Sequence, residues 1–340
     1  MNSLNTLDFV SDFVSHFVSH FVSDKNRREI SKTDTQQHKP LNTNQLPIFN
    51  IKICNIMVAP FIFGRVAEGH NFIDRENDTE RLAENFKSLT NTILISPRRW
   101  GKTSLVHKAA GKATAEDPKL KIVFIDIFNV RTEKEFYEKF ATEILRQTAG
   151  TADNILSFIK KYASAIISGI SFGEAAAPMS IQFQIKEPQM SSDEILELPE
   201  KIAKDRGIKI VICIDEFQQI GEFNNPRAFQ ANLRAKWQLQ QSVSYCLFGS
   251  RRHMMIEVFG KSSMPFYKFG AVYFLDKIDE AFWPDFIIRE FSKTGKTINR
   301  EQCKEIVSLV DNNPYYVQQL SQLAWFHTID SPCSNEITRK

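Results

Sequence analysis

The sequence predicts an α/β fold, in which a parallel β-sheet is covered by helices on both faces, followed by a small all-α domain. Strand-like segments alternate with amphipathic helical segments from about residue 57 onward, which is the pattern of strands joined by helical crossovers. The strand-like segments are nearly continuous runs of valine and isoleucine, as expected for strands buried on both faces. After Asp279 only helical patterns remain, so we expect the second domain to begin there.

The bulk composition is that of a globular protein and argues against several other classes. At 340 residues, with 42% hydrophobic and 24% charged residues, the chain has room for about two domains with a buried core. The net charge of +3 is too small to argue for nucleic-acid binding. The cysteines form no C-x-x-C pair, which argues against a zinc site. No run of about 18 apolar residues exists, so we expect no membrane span and a cytoplasmic location.

The first 56 residues differ from the rest of the chain. A four-residue unit repeats four times between Phe9 and Asp24, as FVSDFVSHFVSHFVSD, and a polar stretch follows. We expect residues 1–56 to form a low-complexity, disordered extension. The alternative is an amphipathic helix that lies on a membrane surface or associates with another chain. Asp or His in every unit interrupts the apolar run, which argues against a signal peptide.

The first domain, residues 57–278, is predicted to alternate between helices and strands. A helix begins near Asp74 with apolar positions at Leu82 and Phe86, and the strand TILIS precedes a helix at 103–115. Residues 150–190 are less regular, with a helix around 155–167, a glycine-containing break and an alternating strand, MSIQFQI. The remaining predictions are a strand at 121–128, helices at 132–148 and 192–205, a strand at 208–215, a helix at 228–241, a strand at 243–250 and a strand that begins at Ala271.

The second domain, residues 279–330, is predicted to consist of three helices, and residues 331–340 to be a tail. The helices cover residues 280–293, 299–310 and 314–327. The last of them begins at Pro314, a residue favoured in the first helical turn. Its core stripe is expected to contain Tyr316, Leu320 and Leu323.

A strand, a turn and a helix at residues 93–106, ILISPRRWGKTSLV, carry the clearest motif. Ser96 to Thr103 matches the phosphate-binding pattern G-x-x-x-x-G-K-[ST] at every position but the first. Gly101 lets the backbone approach phosphates, Lys102 reaches the β- and γ-phosphates, and the Thr103 hydroxyl ligates Mg²⁺. The predicted nucleotide-binding set is Ser96, Pro97, Arg98, Arg99, Trp100, Gly101, Lys102, Thr103 and Ser104.

A second Gly-Lys-Thr in the same chain shows why context matters. Gly295, Lys296 and Thr297 follow a predicted helix rather than a strand, and Glu290 occupies the first position of the pattern. We therefore interpret Gly295 as a helix C-cap and the earlier copy as the phosphate loop. The alternative for the earlier copy is an ordinary surface turn.

An acidic pair ends another buried strand. The apolar run in IKIVICIDEFQQI ends at Asp215 and Glu216. A carboxylate at the tip of a central strand, near the phosphate loop, would hold Mg²⁺ through a water, so Asp215 is a predicted metal ligand beside Thr103. Glu216 is predicted to be the general base that polarises an attacking water. The alternative is a strand that ends in a solvated acidic turn.

An arginine pair follows the next strand. YCLFGS leads into Arg251 and Arg252, and Arg251 is predicted to neutralise the γ-phosphate from that position. The alternative is a basic surface pair.

A guanine-nucleotide site is the main rival reading of the phosphate loop. DKID at residues 276–279 follows a strand and is similar to the guanine-reading pattern N-K-x-D. Its first residue differs from that pattern, and no D-x-x-G follows the loop. The sequence therefore favours ATP.

Six segments in order resemble the archaeal-type ATPases, which are related to the STAND branch of AAA+-like P-loop NTPases. The segments are PFIFGR…FIDRE, SPRRWGKTSL, IVICIDEFQQI, LFGSRRHMM, PFYKFG and NNPYYVQQL, between about residues 60 and 326. The resemblance implies a five-stranded parallel core of order 5-1-4-3-2, ATP and Mg²⁺ as ligands, and a helical lid. It also implies Lys102 and Thr103 in the loop, Asp215 on the metal, Glu216 as base and Arg251 as sensor.

The resemblance implies two further contacts with the base. In STAND proteins a G-x-P motif of the lid lies beside the adenine, and the matching positions here are Asn312 to Pro314, with Asn in place of Gly. Phe72 to Arg75 resemble the N-terminal segment that flanks the base. Pro314 is therefore a predicted nucleotide contact.

The function favoured by these patterns is hydrolysis of ATP to ADP and phosphate with Mg²⁺, coupled to a movement of the lid or of a partner. The alternative is a nucleotide-gated binding switch that turns over slowly or not at all. DNA association is an additional activity that Arg98, Arg99, Arg251 and Arg252 would suit. The partner, either an unknown protein or a second copy of the chain, is left open.

Overall fold

The computed structural model describes residues 59–67, 69–149, 158, 161–162, 167–172, 181–185 and 192–328. The predicted extension at 1–56 and the predicted tail at 331–340 lie outside the described residues. Most of the helix predicted around 155–167 also lies outside them.

Five of the described strands form one parallel sheet. In chain order the strands are β1 (Thr92–Ile95), β2 (Leu120–Asp126), β3 (Ile167–Phe172), β4 (Ile181–Ile185), β5 (Lys209–Asp215), β6 (Val243–Gly249) and β7 (Ala271–Phe274). The order across the sheet is β2-β5-β6-β1-β7, and every neighbouring pair is parallel. Numbered within this sheet alone, the order is 5-1-4-3-2 when read from β7. The predicted fold class and strand order are therefore confirmed.

Strands β3 and β4 form a separate antiparallel pair. The alternating segment MSIQFQI contains β4, as predicted. Its partner β3 occupies the segment interpreted as a glycine-containing break, which is therefore corrected. Isoleucine and phenylalanine favour a strand in ISGISF, and Gly169 lies at the register shift between the two strands, where a glycine relieves the local bend.

Helices lie between the strands along the chain, and three more follow the last strand. In chain order they are α1 (Glu76–Lys87), α2 (Lys102–Glu116), α3 (Glu133–Thr148), α4 (Ser192–Arg206), α5 (Pro226–Trp237), α6 (Arg252–Gly260), α7 (Phe282–Ser292), α8 (Arg300–Leu309) and α9 (Pro314–His327). Helix α6 was not predicted from the sequence. Its buried residues, Met255, Val258 and Phe259, have the i, i+3, i+4 spacing of one helical face, although the helix spans only 9 residues.

The sheet separates two apolar clusters because alternate residues of each strand point to opposite faces. Ile93, Ile212 and Leu247 lie in the cluster on one face, with side chains of α3, α4 and α5. Leu94 and Cys213 lie in the cluster on the other face, with side chains of α1 and α2. All five are at most 3% exposed. Burial on both faces explains the continuous apolar runs of the central strands β1, β5 and β6, whereas the outer strands β2 and β7 also carry exposed residues.

The described chain divides into two compact units. We call residues 62–282 and 313–315 the α/β unit, and residues 59–61, 283–312 and 316–328 the helical unit. In the helical unit, the Trp283 indole donates to Asn312 Oδ1 at 2.6 Å, and Phe61 makes edge contacts with Phe286 and Phe291. Helix α8 begins with a capping box formed by Asn299 and Gln302.

Candidate nucleotide-binding site

The phosphate loop joins β1 to α2, and positive φ angles shape it. Gly101 is the N-cap of α2 with φ 84°, and Arg99 has φ 67°. Glycine adopts this left-handed region without the clash that a Cβ would cause. Ser96, at the position where the pattern has Gly, is fully buried at the end of β1 and donates from Oγ to the Pro97 carbonyl at 3.0 Å. Ser96 is not among the residues with positive φ, so this position does not require glycine.

The loop and the end of β5 meet at Asp215. Lys102 Nζ donates to Asp215 Oδ1 at 3.0 Å, and Thr103 Oγ1 donates to Asp215 Oδ2 at 3.0 Å. Lys102 is 7% exposed, and its ammonium lies 5.1 Å from the ring centre of Phe248. The structure therefore brings together the three residues that the sequence assigned to phosphate and metal binding.

Asp215 and Thr103 form an oxygen-rich pair at the N-terminus of α2. Among the described residues no group of three or more His, Cys, Asp or Glu could hold a metal by itself. A hydroxyl and a carboxylate 3.0 Å apart suit Mg²⁺, which binds one or two protein oxygens and completes its shell with waters and substrate phosphates. The residues present therefore fit a magnesium ion that is shared with a nucleotide.

Glu216 follows Asp215 and is held by donors from two elements. It has φ 55° and caps the 3-10 helix Phe217–Glu222. Its Oε2 accepts hydrogen bonds from Gln218 Nε2 and, at 3.0 Å, from Ser250 Oγ. Arg98 Nε of the phosphate loop donates to the same Ser250 Oγ at 3.3 Å. Glu216 is thus connected to the phosphate loop through Ser250.

The surroundings of Glu216 keep it ionised. Burial raises the pKa of the Glu216 carboxyl, but the hydrogen bond from Gln218, the charge of Lys102 and the hydrogen bonds from Ser250 outweigh burial, so that the pKa is lowered. An ionised carboxylate is the form that can polarise a water.

Arg251 lies away from this network. Its Nη1 forms an ion pair with Glu222 Oε1 at 2.5 Å, and both side chains are about 40% exposed. The arginine that approaches Glu216 through Ser250 is Arg98. Sequence reasoning missed Ser250 and Gln218. Ser250 could have been found because β6 neighbours β5, whereas nothing in the sequence shows which way the Gln218 amide points.

The segment before α1 contacts the phosphate loop. Ala67 N–H donates to Ser104 Oγ at 2.9 Å. The Arg75 guanidinium donates to the Trp100 carbonyl at 3.5 Å and to the Asp276 carbonyl at 2.6 Å. The region that was expected to flank the base therefore lies against the loop.

Tyr315, the residue after Pro314, also contacts the loop. The Arg99 guanidinium lies 4.5 Å from the centre of the Tyr315 ring, and Phe63 packs edge-on against that ring at 5.5 Å. Pro314 belongs to the three-residue segment that groups with the α/β unit. Tyr315 therefore lies between Phe63 and Arg99 of the phosphate loop in these contacts.

The fold and this site define a P-loop ATPase: a five-stranded parallel sheet whose first strand leads into a glycine-lysine-threonine loop beside the Asp215 strand. The family model described as an ATPase domain predominantly from Archaea matches residues 72–320. The chain therefore belongs to this family, and the archaeal-type resemblance stated from the sequence is confirmed.

Solved structures show the same fold at low sequence identity. The Walker-type ATPase PABY2304 of Pyrococcus abyssi has a TM-score of 0.57 at 17% identity, with 79% of this chain and 72% of that chain covered. The ORC2 protein of Aeropyrum pernix, in ADPNP–ADP complexes, has a TM-score of 0.53 at 15% identity, with 82% and 71% covered. The ORC1 protein of the same organism, in complex with DNA, has a TM-score of 0.52 at 11% identity, with 79% and 64% covered. No curated protein matches.

The chain is thus a nucleotide-binding ATPase. None of the helices among the described residues is both long and apolar enough to span a membrane.

Proposed function

We propose that the protein hydrolyses ATP to ADP and phosphate by in-line attack of water on the γ-phosphate, with Mg²⁺ bound at Thr103 and Asp215. The observation that carries this proposal is that Lys102 and Thr103 both donate hydrogen bonds to Asp215, next to Glu216, whose pKa is lowered. Catalysis of phosphoryl transfer depends on positioning and electrostatic stabilisation, and these four side chains supply both.

Each side chain has a defined part in the proposed reaction. Lys102 exchanges Asp215 for the β- and γ-phosphate oxygens when ATP binds, because the phosphates carry more negative charge. Bound Mg²⁺ would neutralise charge that develops on the phosphate oxygens. Glu216 orients the water and accepts its proton. Arg98 and Arg251 are the candidates to stabilise γ-phosphate charge, and Arg251 must first leave Glu222.

We also propose that the nucleotide state changes the arrangement of the helical unit. Support comes from α9, which begins with Pro314 and Tyr315 in the α/β unit and continues into the helical unit. Because Tyr315 stacks on Arg99 of the phosphate loop, a change in the loop on ATP binding would reach α9. The alternative is a slow nucleotide-gated switch, which the Arg251–Glu222 ion pair favours because it keeps one cation from the site.

DNA association gains little support from the arginines that suggested it. Arg98 donates to Ser250, Arg99 and Arg252 stack on Tyr315 and Phe274, and Arg251 pairs with Glu222. We propose ATP and ADP as the ligands, a protein or second copy of the chain as the partner, and the cytoplasm as the location. The buried thiols of Cys213 and Cys246, which form no disulfide, suit a reducing compartment.

The test is phosphate release from ATP by the full chain with Mg²⁺, beside Glu216→Gln and Lys102→Ala. We expect the wild type to turn over, Glu216→Gln to bind ATP but release phosphate at least about 100-fold more slowly, and Lys102→Ala to lose ATP binding. Binding without release by the wild type would support the switch instead. Absence of ATP binding by the wild type would refute both proposals.

A further inference from the structure

Gln218 has an unusual environment for a polar residue next to the site. It lies in the 3-10 helix Phe217–Glu222, and it is only 2% exposed. Its Nε2 donates to Glu216 Oε2. Its Oε1 is buried without a hydrogen-bond partner, which is costly for an amide oxygen. A leucine or methionine would pack there without this cost, so the amide is explained by what its Nε2 does.

The end of β6 provides the space for the Gln218 amide. A Cβ added to Gly249 would lie 1.9 Å from Gln218 Oε1, which is impossible without displacing the amide. Gly249 has no positive φ, so its backbone conformation does not require glycine. The close approach of the Gln218 amide explains why a residue without a Cβ stands there.

Gln218 and Ser250 act on the same oxygen. Both donate to Glu216 Oε2, from opposite elements: Gln218 from the 3-10 helix and Ser250 from the residue after β6. Two donors on one oxygen restrict rotation of the carboxylate, which a single donor would allow. The neighbouring Gln219 is equally buried at 3% exposed, but it donates to Glu222 instead.

We propose that Gln218 is a positioning residue which, together with Ser250, holds the Glu216 carboxylate in the orientation needed to direct water at the γ-phosphate. This inference rests on the proposed ATP hydrolysis. Because Gln218 acts through its hydrogen bond to Glu216, its removal should lower kcat and leave ATP binding intact.

The test compares Gln218→Met with Gln219→Met in the full chain. Methionine keeps the length of the side chain and removes the donor. We expect Gln218→Met to lower kcat about 100-fold, the loss that accompanies a misplacement of ~1 Å at a reacting group, with KM for ATP and the affinity for ATP within about twofold. Gln219→Met, the matched control, should keep kcat within about threefold.

Two further variants separate positioning from a general loss of structure. Gln218→Glu has nearly the shape of glutamine but replaces the donor with an acceptor, and it should lower kcat at least as much as Gln218→Met. In a Glu216→Gln background, Gln218→Met should change the residual rate by no more than about twofold, because the two residues act as one unit.

The outcomes distinguish this inference from the proposed function. A wild type that does not release phosphate overturns both. A wild type that turns over overturns the role of Gln218 alone if Gln218→Met keeps or raises kcat. The same holds if Gln218→Met and Glu216→Gln reduce the rate independently.

Discussion

Asp215 is the residue on which the site is centred. Its two oxygens accept hydrogen bonds from Lys102, Thr103 and the backbone N–H of Glu216. The charge of Lys102, which is almost fully buried, is therefore balanced by that of Asp215. If the phosphates of ATP replace Asp215 as the partner of Lys102, as we propose, the lysine stays paired with an anion and binding requires less reorganisation.

Thr103 provides a residue-scale prediction about the metal. Thr103→Val keeps the shape of the side chain and removes the hydroxyl that donates to Asp215 and is available to Mg²⁺. We expect Thr103→Val to weaken ATP binding with Mg²⁺ by at least about tenfold, since a hydrogen bond to a charged group contributes ~1.5–3 kcal/mol. In excess chelator the variant and the wild type should bind ATP alike. Calorimetric titration under both conditions measures this.

The control for Thr103 is a conservative change. Thr103→Ser retains the hydroxyl and should retain most of the effect of Mg²⁺ on ATP affinity. If Thr103→Val gains as much affinity from Mg²⁺ as the wild type does, Thr103 is not a metal ligand.

At the scale of secondary-structure elements, the pairing of neighbouring strands depends on how closely their backbones approach each other. Asn91 precedes β1, and its carbonyl accepts the Ala271 N–H of β7 at 2.8 Å, while its side chain accepts the Tyr245 N–H of β6 at 2.9 Å. A Cβ on Gly270 would lie 2.2 Å from that carbonyl oxygen. The glycine thus permits β7 to pair with β1 at the edge of the sheet.

Gly270→Ala should therefore disturb the pairing of β7 with β1 and destabilise the protein. We expect a loss of about 1–3 kcal/mol in the free energy of unfolding, the usual cost of forcing an extra carbon into a packed position. Gly111→Ala is the control: Gly111 lies in α2 with no atom within 4 Å of an added Cβ, and alanine should stabilise that helix by about 0.5–1 kcal/mol. Urea unfolding of both variants measures the difference, and equal effects would contradict the role given to Gly270.

The sequence predicted those parts of the site that lie within one continuous segment. The loop at Lys102 and the acids at 215 and 216 are local patterns that can be recognised in the sequence, and the structure brings Lys102 and Asp215 together. The partners of Glu216 depend on which strands are neighbours and on the direction of side chains in short turns, and these follow from tertiary packing. Arg251 shows the limit: α6 begins at Arg252, and the pairing of Arg251 with Glu222 could not be read from the sequence.

At the scale of the whole molecule, the chain passes between its two units several times. The α/β unit ends at Phe282 and resumes for Asn313, Pro314 and Tyr315, after which α9 continues in the helical unit. A helix that starts beside the phosphate loop offers a continuous element through which a change at Arg99 can act. Two states of such an element, biased by the nucleotide, are what coupling requires.

The coupling can be measured by energy transfer between dyes at position 239 in the α/β unit and position 309 in the helical unit. Leu239 is 72% and Leu309 57% exposed, so cysteines there are accessible once Cys54 and Cys333 are replaced by serine. Burial raises the pKa of the Cys213 thiol, and the buried Cys246 and Cys303 are likewise protected from labelling.

We expect ATP with Mg²⁺ to change the transfer efficiency in a Glu216→Gln background, which should bind ATP and hydrolyse it only slowly. Lys102→Ala should abolish this change in transfer efficiency, because that variant is expected not to bind ATP. The control pair, positions 239 and 272, lies wholly within the α/β unit, and Val272 is 44% exposed; its transfer efficiency should stay constant. If the pair at 239 and 309 is equally constant while ATP is bound, the nucleotide does not move the helical unit, and the ATPase acts without a lid.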